Sequence, residues 1–215
     1  MSIRRFVMSV LVASSMIGGC ARAQDNSDWT HKNEVSVLAG RNFVSSRPIT
    51  GATFVNNKVN FGAATTFEFN YARRVYDRGF LGLNLELPFV TSFDQDLGTG
   101  ANLIPDAYKF FFLTPSARLH VFADNRVSPW VSFGGGFGHF SESSTLVYGG
   151  PNPGKTGTTT GVLQIGAGLD VRFWGPFGLR GEVRDLWSGV PQLNVSTAAT
   201  RQTNLFVSGG FTYHF

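Results

Sequence analysis

The chain has 215 residues, of which 15% are charged and 14% aromatic, with 26 glycines and one cysteine. So few charges separate it from an average soluble domain, at roughly 25%, and one cysteine excludes a disulfide framework or a cysteine-built zinc site. The net charge is +4, but Arg4, Arg5 and Arg22 supply three of those charges within residues 1–23, which hold no acid, so the remainder carries +1 and its charge gives no reason to expect nucleic acid as a partner.

Residues 1–23 read as a cleavable secretory signal. Arg4 and Arg5 form a basic start, Phe6 to Ile17 an apolar run too short to span a bilayer, and Ala21-Arg22-Ala23 an A-x-A cleavage site. Ile17-Gly18-Gly19-Cys20 competes with it, because cleavage there would leave a lipidated Cys20. Residues 24–32 follow as a short polar periplasmic segment, and residues 33–215 as a single barrel domain.

From residue 33 onward, apolar and polar side chains alternate with period two, the signature of strands with two unlike faces. Val35, Val37, Ala39 and Phe43 share a face of the first stretch; Phe61, Ala63, Thr65, Phe67, Phe69, Tyr71 and Val75 of the second. Leu81, Leu83, Leu85, Leu87 and Phe89 follow, then Phe111, Leu113, Pro115, Ala117, Leu119 and Val121. Val131, Phe133 and Phe137 mark the fifth; Leu163, Ile165, Ala167, Leu169, Val171 and Phe173 the sixth. Phe177, Leu179, Val183 and Trp187 mark the seventh, and Leu205, Val207, Phe211, Tyr213 and Phe215 the eighth. These eight strands run to about 9–14 residues, longer than the usual 5–6 and long enough to cross a bilayer at a tilt. Short turns at 76–79, 123–128 and 174–176 alternate with long segments at 45–60, 91–107, 139–160 and 188–203. That alternation is the pattern of an outer-membrane barrel with both termini periplasmic. Gly, Ser, Thr, Asn and Pro dominate the long segments, so they read as surface loops.

The opposite face carries Glu68, Glu86, Asp170 and Glu182 with Arg118, Arg172, Arg180 and Arg184. Inside an eight-stranded barrel there is room only for side chains, and a buried charge must be paired. These residues are therefore expected to form an ion-pair network in the lumen. A hairpin about Gly175 sets Asp170 opposite Arg180, and Arg118 or Arg184 must bridge Glu68 and Glu86. Glycines 134, 136, 138, 166 and 168 would leave room for arginine forks. Trp29, Trp130, Trp174, Tyr76 and Tyr108 fall near strand ends and read as an interfacial aromatic girdle.

The closing residues Phe211, Tyr213 and Phe215 resemble the terminal signal by which the barrel-assembly machinery recognises its clients, with no peptidoglycan-binding domain expected after it. "GLRGEVRDLWSG" (178–189) and "SPWVSFGGGFG" (128–138) resemble strands of the small eight-stranded outer-membrane β-barrels of the OmpA/OmpX transmembrane type. The resemblance covers residues 33–215. It implies an all-β, eight-stranded antiparallel up-and-down barrel with a structural, adhesive or evasive surface role and no shared catalytic residues. Outer-membrane lipid and lipopolysaccharide are then the surroundings, and an extracellular ligand or host surface is the partner expected at four loops. A monomer is expected, with no cofactor.

Two other classes stay open. A narrow pore or small-solute channel could be gated by the lumen ion pairs. A lipid A-modifying enzyme is suggested by His139-Phe140-Ser141, which resembles the His-x-Ser element of lipid A deacylase barrels. No acid lies about a dozen positions on, Glu142 has the wrong parity, and the usual following Asn is missing. Residues 149–156 match G-x4-G-K-T, but a strand follows where phosphate binding needs a helix. Scattered histidines (His31, His120, His214) make no metal site.

Overall fold

The computed structural model describes residues 31–51, 58–100, 102–197 and 199–215. The expected signal segment, Cys20 and Trp29 lie outside the described residues. The described strands are β1 (Asn33–Val44), β2 (Arg47–Pro48), β3 (Lys58–Phe61), β4 (Ala64–Asp77), β5 (Leu81–Gly98) and β6 (Ala107–Leu113). They continue with β7 (Ser116–Val121), β8 (Val127–Glu142), β9 (Gly157–Trp174), β10 (Phe177–Gly189) and β11 (Arg201–His214).

Eight staves close the ring, all antiparallel: β1, β4, β5, β6 with β7, β8, β9, β10 and β11, with β11 returning to β1. β6 and β7 are one stave split at Pro115, which has no N–H to donate to the ladder. The small β2–β3 hairpin rises beyond β5. Sharp turns join the staves at one end, including Gly79 and Gly175 with φ of +68° and +51°, a backbone region that suits glycine. Longer loops join them at the other.

The strands run further than the alternation suggested. β5 and β9 each reach 18 residues and β8 reaches 16, so the loops at 99–106, 143–156 and 190–200 are shorter than expected. Bulges also reset the parity. After one in β4, Val75 and Tyr76 both face outward. After another in β5, Phe93 stays outside while Gln95 and Leu97 turn in.

Outward, the strands present Val37, Phe69, Leu85, Val131, Phe133, Ile165 and Phe211 to the surroundings, each at least 47% exposed, an apolar band suited to lipid. Inward, the lumen is not polar throughout. Tyr108, Phe110, Phe112, Phe140 and Phe206 meet there with Val90, Val162 and Leu186. Ile49, Val59, Leu97, Ile104 and Leu193 extend this cluster into the loops. Even-numbered lumen residues were expected to be wet; in the half nearer the loops they form a dry aromatic core instead. Tyr108 belongs to that core and Trp130, 2% exposed, to the lumen below it, so neither is a girdle residue. Trp174 and Tyr76 do face outward, at 75% and 50%.

Two of the five glycines make room for aromatic rings, while Gly134 and Gly136 let the neighbouring strand approach. A Cβ at Gly168 would strike the Trp130 indole, and one at Gly138 the Phe112 ring; of the five, only Gly166 has an arginine, Arg184, beside it. Gly138→Ala forces Phe112 against Phe140 and Phe206, and is expected to lower stability by about 1–3 kcal/mol through overpacking. Urea titration of the barrel refolded into vesicles measures that loss.

Candidate functional site: the lumen charge network and the loop cap

The even positions of β1, β4, β5, β7, β9 and β10 send ionised side chains to the half of the lumen nearer the short turns. Arg180 holds Asp170 with two hydrogen bonds of 2.7 Å and reaches Glu34 at 2.8 Å. Arg118 continues the chain, 2.7 Å from Glu34 and 3.3 Å from Glu86. Arg184 completes it, 2.9 Å from Glu86, 2.6 Å from Glu182 and 3.3 Å from Glu68. Acids and bases thus alternate from Asp170 to Glu68. Arg184 stands between the two carboxyls, Glu68 and Glu86, and Arg180 sits opposite Asp170 in the register.

Trp130 lies at the centre. Its ring is 5.3 Å from each of the Arg118, Arg180 and Arg184 guanidinium carbons, and its Nε1 donates to Asp170 at 3.1 Å. A desolvated cation over an aromatic face gains electrostatic attraction. The three like-charged guanidinium groups thus share one aromatic neighbour as well as the carboxylates between them.

Toward the short-turn end, Arg172 Nη2 donates to the Ala123 carbonyl at 2.5 Å. His120 is 3.9 Å from Asp170 and His214 is 3.9 Å from Glu34. Sequence reasoning missed Glu34 and Trp130. Both sit at even positions of alternating strands, so parity alone places them inward. Above the charges, Thr114 and Gln164 are bonded at 2.5 Å, and the aromatic core closes over them.

At the loop end the connections are tied to one another. Asn194 donates to Asn152 Oδ1 at 2.7 Å, Asn102 to the Gly149 carbonyl at 3.0 Å, and the Gln192 amide to Glu142 at 2.9 Å. Backbone bonds link Val147 to Ile104 and Thr50 to Ser196. Tyr148 and Leu103 stand on this cap, 64% and 43% exposed. Residues 149–156 belong to it, and β9 follows them.

His139 and Ser141 are on the outward face of β8. His139 Nδ1 is 2.9 Å from Thr159 Oγ1, and the Glu142 carboxylate, on the inward face, bonds Thr158 and the Gln192 amide. Phe211, Tyr213 and Phe215 project outward along β11 and its end, between 41% and 65% exposed. Among the described residues no cluster of His, Cys, Asp and Glu could hold a metal.

No family model and no curated protein matches the chain. Solved structures do. Neisserial surface protein A is 14% identical over 85% of this chain and 97% of its own, with a TM-score of 0.50. The N-terminal barrel of OprF from Pseudomonas aeruginosa is 13% identical over 86% and 99%, at 0.47. The outer-membrane enzyme PagL is 13% identical over 84% and 98%, at 0.42. At these identities the likeness is one of fold. The closed ring of eight antiparallel staves, apolar outside and filled within, is the fold this chain shares with Neisserial surface protein A.

Proposed function

We propose that this barrel is a non-conducting, non-enzymatic surface protein that contacts an extracellular ligand or host surface through its loop cap. The observation that carries the reading is the filled lumen. Arg118 and Arg184, at 0% exposure, block one half, and Phe112, Phe140 and Phe206, at 0–1%, block the other. Neither layer is a water path. The ion pairs are then scaffolding: each charge has an opposite neighbour, and displacing one leaves another unpaired in low dielectric. The hydrogen-bonded cap supports a binding role, because loops held rigid on a scaffold recognise partners at lower entropic cost.

The reading has the long-loop end outside the cell and both termini periplasmic, following cleavage of the signal segment after Ala23 or lipidation at Cys20. It takes Phe211, Tyr213 and Phe215 as the assembly signal. The lipid A deacylase reading gains no support at His139, whose bonded neighbour is Thr159 rather than a carboxylate.

Two measurements test it. Planar-bilayer recordings of the refolded protein are expected to stay silent; steady unitary currents would replace this reading with the channel. Proteoliposomes carrying the barrel are expected to adhere to an epithelial monolayer. Tyr148→Ala combined with Leu103→Ser should lower that adhesion roughly tenfold, the scale of an interface anchor. Adhesion equal to that of empty liposomes would end the ligand-contact reading.

A further inference from the structure

One strand carries a carboxylate on the wrong side. Asp185 shares the outward parity of Val183 and Trp187 on β10, on the face turned to lipid. An ionised group there is costly. Its Oδ2 accepts a 3.0 Å bond from Trp187 Nε1. Its Oδ1 is buried and has no hydrogen-bond partner among the described residues. The side chain as a whole is only half-buried, so the carboxylate takes a second donor, from outside the chain, at the oxygen that Trp187 holds.

Asp185 lies at the head of a groove of about 530 Å³ on the same outward face. The register explains the groove. Asp185, Ile165, Phe133, Ala117 and Leu85 are partners in one cross-strand row. Val183, Ala167, Val131, Leu119 and Leu83 form the next. Small side chains at Ala117 and Ala167 lower the floor between bulky neighbours. Each row crosses four gaps of about 4.8 Å, roughly 19 Å in all, the scale of one extended fatty-acyl chain. The groove descends from the interface marked by Trp187 toward the short-turn end. Extending the second row the other way, Val183 faces Val207 and Val207 faces Arg41. An exposed, outward guanidinium therefore stands two strands away, about 10 Å from the groove head.

We propose that this groove, with Asp185 and Arg41, is a lipid site that takes one amide-linked, 3-hydroxylated acyl chain of lipid A. The chain fills the groove, its amide N–H or hydroxyl donates to the Asp185 carboxylate, and a phosphate on the glucosamine meets Arg41. Glycerophospholipids of the other leaflet carry ester-linked chains with no donor beside them. The choice of lipid A rests on the long-loop end facing outward, as proposed above.

The test is native mass spectrometry of the refolded barrel in micelles supplied with equal amounts of lipid A, phosphatidylethanolamine and phosphatidylcholine. Wild type is expected to retain lipid A above both others. Asp185→Leu should cut retained lipid A about tenfold, the equivalent of one charge-assisted hydrogen bond. Ala167→Phe, which fills the floor and leaves Asp185 in place, should cut it comparably. Asp185→Leu makes the lipid face more apolar, so the variant should fold and shift heat-modified gel migration like wild type. Unchanged lipid A retention in both variants would overturn the proposal, as would equal retention of all three lipids. A preference for phosphatidylethanolamine that Asp185→Leu abolishes would overturn the choice of lipid A and with it the orientation. Loss of all preference would remove the site and leave the orientation standing.

Discussion

Arg184→Ala is expected to lower the stability of the barrel by about 3–5 kcal/mol, the scale for removing one partner from a buried ion pair. The arginine is 0% exposed and lies within 3.3 Å of three carboxylates, Glu68, Glu86 and Glu182. Without it those three acids face one another, and Glu86 alone keeps a guanidinium, Arg118 at 3.3 Å. Water cannot replace the lost charge, because the aromatic core seals one side. The midpoint of urea unfolding in detergent micelles reads the effect. Adding Glu182→Gln to Arg184→Ala should recover part of the loss, since it removes one of the opposed charges. A midpoint for Arg184→Ala within error of wild type would show that the network does not hold the lumen together.

Trp130→Ala is expected to cost a similar amount, about 3–5 kcal/mol, the range for emptying a large aromatic site. The loss has three parts. A cavity opens beside Gly166 and Gly168, whose missing side chains gave the indole its place. Three guanidinium groups lose their shared aromatic neighbour. Asp170 loses the Nε1 donor. Trp130→Phe separates these contributions, because it keeps a ring under the arginines and loses only the bond to Asp170 and some volume. It should cost about 1–3 kcal/mol. Equal effects of the two substitutions would show that the indole N–H, not the stacking, carries the energy.

The barrel itself could be read from the sequence because lipid outside and a narrow interior impose the same period on every strand. Leu81 to Phe89 and Leu163 to Phe173 needed no further information. The breaks in that period could not be read. The bulges at Arg74 and after Ser92 depend on how neighbouring strands share hydrogen bonds, and no residue type marks them. Phe110, Phe112, Phe140 and Phe206 had the inward parity throughout, yet apolar residues at even positions give no warning that they meet one another across the ring. Trp130 shows the opposite error. Its even position pointed inward, but an aromatic near a strand end also fits an interfacial belt, and that rule was preferred. Glu34 lay at the edge of the first strand, where one more residue of alternation would have added it to the network. The cap was illegible for a different reason: its bonds join loops as far apart as Thr50 and Ser196, a pairing that local composition does not encode.

The stave Ala107–Leu113 has a consequence for the time before the ring closes. Phe110 and Phe112 face the aromatic core while Phe111 and Leu113 face lipid, so this strand has no water-compatible side at any stage. Six of its seven residues are aromatic or aliphatic, and Lys109 is its single charge. A stretch of such β-forming residues with so little charge is a template for aggregation. Before the ring closes, Tyr108 to Leu113 is therefore a segment of the unfolded polypeptide that needs shielding from water.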